Sequence, residues 1–313
     1  MLSTSDDTVV HVGHGTWGTY RLSSQTLHIN WYRLPAEDFD EVDGVYVHQS
    51  LLRQDRSRVS VRSTGSGVGP AELRPIKVIS LRRTPDRREK FTRLNDGVAF
   101  EYFDAIDGQT VDKSEFFNGL LAEEDLPYSA GAVGCALSHL ALWEQSISDQ
   151  TVLTIVEDDA ILRCDFGEKS REIIARLPAG WDLVMWGWNF DSVLSIQAMP
   201  GISNTVIMCN QNQLRQSVER FRQFPLDIHI FRLDKSFGTC AYSISPEGSR
   251  KFKQRCFPLR NEPVYFPLLN RMRQNDGIDI AMNNLYPVTN CYVSFPPLAI
   301  TPNLNAESLT LKR

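Results

Sequence analysis

TVLTIV, Thr151 to Val156, followed at once by Glu157-Asp158-Asp159, is the stretch that decides the fold. A short, unbroken apolar run suits a strand buried on both faces, as strands are in an α/β sheet covered by helices on each side. Three carboxylates at its end are costly, because like charges repel and the adjoining interior disfavours ions, so something positive is expected there. Ligands of open α/β sheets bind beyond the carboxyl ends of the strands. Mg2+ or Mn2+, hard ions that prefer carboxylate oxygen and keep positions for phosphate, would suit this place. A solvated acidic turn is the alternative for the triplet taken alone.

The flanking sequence continues the same texture. IKVISL (Ile76 to Leu81) is a strand that leads through RRTPDRREKFTRLND into an exposed helix, with a proline near its start. AFEYFDAI is a second strand. In GAVGCALSHLALWEQSISD, Val133, Leu137, Leu140, Ala141 and Ile147 recur at helical spacing; His139 falls off that stripe, beside the turn carrying Cys135. WDLVMWGW and CAYSIS are two more strands. The second ends in Ser245-Pro246-Glu247, a serine cap and a first-turn proline opening a helix through Cys256. The expectation is an α/β domain over residues 76–313, with a mostly parallel sheet flanked by helices. Residues 1–62 read as a small β-rich module with strands in TLHINWY and GVYVHQSLL, and 63–75 as a Gly/Ser/Pro linker. Within the module His11 and His14 read as loop residues. Trp17, Trp31 and Tyr32 read either as a carbohydrate-binding surface or as the module's own core.

Composition sets the outer limits. With 313 residues, 42% hydrophobic and 23% charged, the chain is ordinary globular material. A net charge of -5 gives no global attraction to nucleic acid or anionic lipid. The six cysteines are scattered without a C-x-x-C pair, which points to reduced thiols and a cytosolic compartment. The first residues lack the basic start and apolar stretch of a secretory signal, and no run of apolar residues is long enough to span a bilayer, although peripheral contact with its inner face stays open.

A local positive cluster answers the acidic triplet. Arg82, Arg83, Arg87, Arg88, Lys90 and Arg93 follow the first strand and can hold a diphosphate; with Asp86 and Glu89 interspersed, most are expected on a solvated helix face and one or two at the ligand. After the second strand, Asp107 could accept hydrogen bonds from a ribose or base while Gly108 lets the backbone turn closely.

Taken in order, these blocks resemble glycosyltransferase family 25, the lipooligosaccharide and collagen galactosyltransferases. They are Val78-Ile79-Ser80-Leu81 with Pro85-Asp86-Arg87-Arg88, Ala105-Ile106-Asp107-Gly108, the run Gly131 to His139, Glu157-Asp158-Asp159, and Gly238 to Gly248. The resemblance implies a GT-A type, Rossmann-like fold, a UDP-sugar donor, a divalent metal, and inversion at the anomeric carbon. The acceptor it implies is a saccharide or a protein hydroxyl. On the matching residues, Ser80, Leu81, Arg87, Ala105, Ile106, Asp107, Ser138 and Asp158 are expected around the nucleotide, with Asp159 and Asp158 on the metal. Asp279, Glu157 and His139 are expected at the chemistry, Asp279 as general base with Glu262 and Asp182 as alternatives. Asp279 could instead cap a short helix, and His139 could simply hydrogen-bond a neighbouring loop. Trp186 and Trp188 could stack on sugars or fill the core. Cys240 stands where the family often has histidine, and residues 1–62 lie outside the resemblance. Two other classes stay open: a nucleotide-sugar-binding scaffold that has lost catalysis, and a metal-dependent phosphohydrolase.

Overall fold

The structure, a computed structural model, describes residues 76–112, 116 and 121–302, together with the backbone course of amino-terminal strands within residues 8–48. The expected linker, 63–75, lies outside the described residues, as do the side chains of His11, His14, Trp17, Trp31 and Tyr32.

The amino-terminal strands are β1 (Thr8–Val12), β2 (Thr16–Ser23), β3 (Thr26–Tyr32), and the hairpin β4 (Phe39–Val42) and β5 (Val45–His48). Next come β6 (Ile76–Ser80), helix α1 (Pro85–Leu94), β7 (Phe100–Asp104) and the long helix α2 (Ala130–Asp149). The acidic run ends β8 (Leu153–Glu157), after which β9 (Ile161–Leu162) leads into α3 (Phe166–Ile174). Then follow β10 (Leu183–Gly187), β11 (Val193–Met199), β12 (Ser203–Met208) and two short helices, α4 (Gln211–Gln216) and α5 (Val218–Phe221). Strands β13 (His229–Lys235) and β14 (Ala241–Ile244) precede helix α6 (Pro246–Cys256). The chain closes with hairpin β15 (Val264–Phe266) and β16 (Arg271–Arg273), helix α7 (Ile278–Met282), β17 (Cys291–Phe295) and β18 (Ala299–Ile300).

One sheet runs in the order β3-β2-β1-β12-β11-β13-β17-β10-β14-β8-β6-β7. It is mixed rather than mostly parallel: among the described strands, β6 pairs in parallel with β7 and β8, and β10 with β17, while the other neighbours are antiparallel. The expectation missed this because a strand buried on both faces carries the same apolar signature in either direction.

Alternation along the strands sorts side chains onto two cores. Leu153, Ile155, Met185 and Tyr242 join Trp143 and Phe252 on one face; Val156, Trp186 and Ala241 join Phe91 and Phe166 on the other. Trp186 and Trp188 are both core residues, Trp188 stacked on Phe295, so neither reaches a sugar. Ser245 accepts from Gly248 N at 2.9 Å and opens α6 as its sequence requires. The buried face of α2 corrects the sequence stripe: it runs through Ala132, Ala136, His139, Trp143 and Ser146, leaving Leu137, Ala141 and Ile147 partly exposed. A helix pressed on both the sheet and α6 buries a broader arc than one apolar stripe. No described helix is long and apolar enough to cross a membrane.

Candidate active site

Register brings the site together. Ser80 lies opposite Asp104 and Ile79 opposite Glu157, so the carboxyl ends of β6, β7 and β8 finish at one level. Strand β14 runs antiparallel to β8, which delivers the segment before it, Gly238-Thr239-Cys240, to the same end. Beyond this edge is a cavity of about 300 Å3. It gathers Ser80, Leu81 and Arg87, the turn Ala105-Ile106-Asp107, Ser138 and His139 of α2, and all of Glu157-Asp158-Asp159. Arg83 and Lys90 also line it; Asp279 does not.

The three carboxylates live in different environments. Asp158 accepts from Ser80 Oγ at 2.7 Å and from Arg87 Nε at 2.9 Å, so both its oxygens are engaged. Asp159 is different: its Oδ1 is buried and has no hydrogen-bond partner. Burial raises the Asp159 pKa above the usual carboxylate range, against the pull of Arg87 and with the push of Asp158. Glu157 is pushed up to about 8 by burial and then by the charge of Asp159, partly offset by the Thr239 hydroxyl that it accepts. A carboxylate oxygen without a hydrogen-bond partner, on a residue that lines a cavity, is what a bound cation would satisfy. Among the described residues no cluster of three or more His, Cys, Asp or Glu could hold a metal by itself. A cation here would therefore take further oxygens from its ligand, as Mg2+ and Mn2+ do with phosphates.

The arginines divide their work. Arg88 donates to Ser80 O and to Asp104 Oδ1, each at 2.7 Å, and Arg82 also pairs with Asp104, so these two brace the strand ends rather than reach the cavity. Arg83 pairs with Asp107. The 105–108 turn is held from behind: Ile106 N donates to Ser138 Oγ at 2.9 Å, and that hydroxyl donates to Gly134 O at 2.7 Å. Ser138 thus fixes the turn that lines the cavity. Its neighbour Gly134 is required by contact, since a Cβ there would lie 2.4 Å from Ile106 O.

His139 is placed on the buried face of its helix, with 0% exposure, not off it. Its Nδ1 meets Tyr242 Oη at 2.8 Å and its Nε2 meets Thr239 Oγ1 at 3.4 Å. Burial pushes its pKa down to about 4. Asp279 stands in the first turn of α7, whose cap is Gly277, and its Oδ2 accepts from Gly238 N at 2.9 Å. It is close enough for its charge to help raise the Glu157 pKa. Of the alternatives, Asp182 is buried and paired with Lys251 at 2.8 Å, and Glu262 is exposed beside Arg260; neither lines the cavity. Cys240 is buried in the core and its carbonyl accepts from Glu157 N, so this departure from the family pattern adds no polar contact to the cavity.

Thr239 and Asn283 are the residues the sequence reasoning passed over. Asn283 donates to Ser236 O at 2.6 Å and Asp279 O at 2.8 Å and accepts from Ser236 N at 2.8 Å, tying α7 to the chain before Gly238. The one signal for Thr239 is its place in the Gly238 to Gly248 block.

A helix-flanked α/β sheet with an acidic crevice at its strand ends is the class of protein seen here. The family model described as "Glycosyltransferase family 25 (LPS biosynthesis protein)" matches residues 74–264. The chain belongs to glycosyltransferase family 25. It is 28% identical over 173 residues to the human protein "Inactive glycosyltransferase 25 family member 3", covering 49% of this chain and 29% of that one. It is 33% identical over 125 residues to the Drosophila melanogaster "Glycosyltransferase 25 family member" (36% and 20% of the two chains). It is 25% identical over 191 residues to the mouse "Procollagen galactosyltransferase 2" (56% and 27%). The matched stretches thus span less than a third of these relatives' own lengths.

Proposed function

We propose that this chain is a GT-A type hexosyltransferase that moves galactose or glucose from a UDP-sugar to a saccharide or hydroxylated acceptor, with inversion. One observation carries the reading: the unpartnered, buried Oδ1 of Asp159, a residue in the wall of a cavity that Arg87 and the 105–108 turn also line. The residues fit a divalent cation, Asp159 as its first ligand and Asp158 as its second once Arg87 yields. When bound, Mn2+ or Mg2+ supplies electrostatic stabilisation to a departing diphosphate. Arg87 then adds positive charge from the protein side. Ser80, Leu81 and Ala105-Ile106-Asp107 form the nucleotide wall, which Ser138 holds in place. Asp279 is the general base in this reading although it stands outside the cavity lining: unlike Asp182 and Glu262 it is tied to the Gly238 segment and its charge is felt at Glu157. Burial raises it above the usual carboxylate range, which suits it to take a proton from an acceptor hydroxyl. Residues 76–313 form the catalytic unit in this reading, and 1–62 carry no assigned role. All six cysteines are free, which suits a cytosolic setting, at the inner face of a membrane if the acceptor is a lipooligosaccharide.

The test is a thermal-shift panel of UDP, GDP, CMP and their sugars with and without Mn2+, followed by turnover assays. UDP is expected to stabilise the chain only with Mn2+, and Asp159→Asn to abolish both that shift and turnover while leaving the apo protein equally or more stable, because a carboxylate whose charged form is disfavoured by burial is gone. No response to any nucleotide would overturn the reading. A second reading has its own support: the human relative is named inactive, and both oxygens of Asp158 are already engaged. Stabilisation by UDP with no turnover on any acceptor would select a nucleotide-sugar-binding scaffold instead.

A further inference from the structure

Behind the cavity a line of buried polar side chains crosses the core. Trp143 Nε1 lies 2.9 Å from Tyr242 Oη, Tyr242 Oη lies 2.8 Å from His139 Nδ1, His139 Nε2 lies 3.4 Å from Thr239 Oγ1, and Thr239 Oγ1 contacts Glu157 Oε1. Trp143, His139 and Tyr242 are 0% exposed and Thr239 2%.

The direction of every bond follows from two facts, the first about Trp143 and the second about the phenol of Tyr242. An indole nitrogen can only donate. Tyr242 Oη therefore accepts from Trp143, and its own buried proton has, among the described residues, no acceptor except His139 Nδ1, to which it goes. A neutral imidazole that accepts at Nδ1 carries its hydrogen on Nε2. That hydrogen points at Thr239 Oγ1, which accepts it and donates its own to Glu157. An imidazolium would break the sequence, since its Nδ1 hydrogen would leave the phenol proton without an acceptor in the chain.

We propose that Trp143, Tyr242, His139 and Thr239 form a one-way hydrogen-bond chain whose task is to hold the Glu157 carboxylate in a single orientation at the cavity wall. Thr239 is the positioning residue in contact with Glu157, and His139 transmits its orientation from Tyr242. His139 is thus a positioning residue and not a proton carrier to substrate. The kinetic consequence rests on the transferase reading of the cavity; the bond directions do not.

The experiment has two arms. In the first, protein labelled with 15N at histidine is examined by long-range proton–nitrogen correlation NMR, with the His139 signals assigned by their loss in His139→Gln. The wild type is expected to show His139 as the neutral tautomer protonated at Nε2, with its Nδ1 resonance shifted by the phenol hydrogen bond, and Tyr242→Phe to abolish that shift while leaving Nε2 protonated. An Nδ1-protonated ring or an imidazolium in the wild type at neutral pH would overturn the chain whatever the protein's activity. In the second arm, Thr239→Val is expected to lower kcat with a UDP-sugar by about tenfold or more, with KM for the donor within about twofold, and Thr239→Ser to restore it. Equal losses in the serine and valine variants, or a change confined to KM, would overturn the positioning role. If the wild type turns over no UDP-sugar, the transferase reading falls, and the NMR arm alone judges the chain.

Discussion

Asp279 accepts the backbone N–H of Gly238 at 2.9 Å, and Gly238 directly precedes the threonine that donates to Glu157. Two neighbouring residues thus tether two carboxylates that come from distant parts of the sequence.

The proposed base follows from that tether. Asp279→Asn keeps an oxygen for Gly238 N but loses the basic carboxylate, so kcat is expected to fall by roughly 100-fold or more with the donor KM unchanged. Steady-state kinetics with a UDP-sugar and Mn2+ measures this. Loss of donor binding alone would place Asp279 in ground-state binding instead.

Acid stability has a definite sign. His139 is held neutral down to about 4, whereas an unfolded histidine titrates at 6.5. Between those values the unfolded chain binds a proton that the folded ring refuses, so stability is lost as pH falls through this window, by a total on the order of 3 kcal/mol. Glu157 runs the other way: raised from 4.5 to about 8, it costs stability as pH rises between those values. The two windows overlap, and between 4.5 and 6.5 their opposite slopes nearly cancel. Urea unfolding across that range should show stability falling with rising pH in His139→Gln and rising with pH in Glu157→Gln, with the decline from 6.5 to 8 also lost in Glu157→Gln.

Backbone contact behind the nucleotide wall makes a third prediction. A Cβ at Gly134 would lie 2.4 Å from Ile106 O and 2.7 Å from Gly108 N, both backbone atoms with little room to move. Gly134→Ala is expected to cost about 3 kcal/mol and to weaken the UDP-dependent thermal shift by displacing the turn. Gly97→Ala is the control: its φ of +82° strains a Cβ, yet nothing lies within 4 Å, so about 1 kcal/mol is lost and ligand response stays intact.

Local signals were readable wherever a short segment settles its own structure. The apolar run before Glu157, the Ser245-Pro246 helix start and the basic stretch opening with Pro85 each report on a few neighbouring residues, and the structure follows them. What could not be read were relations between remote segments. Tyr242 reaches His139 across 103 positions and Thr239 reaches Glu157 across 82, and no periodicity encodes either. His139 looked off-stripe because the reading counted apolar residues only, while Ser138, His139 and Ser146 are buried polar members of the same face. The roles of the arginines were likewise hidden, since which of them turns to Asp104, Asp107 or Asp158 depends on how β6 and β7 end side by side.

The position of β14 between β10 and β8 bears on how this protein is made and trimmed. Glu157, Asp158 and Asp159 leave the ribosome long before the segment that flanks them on one side. A fragment ending ahead of Ala241 would carry the whole acidic triplet yet lack the rail against which β8 is aligned, so expression boundaries drawn around the motif alone would yield a protein with the right letters and no working crevice.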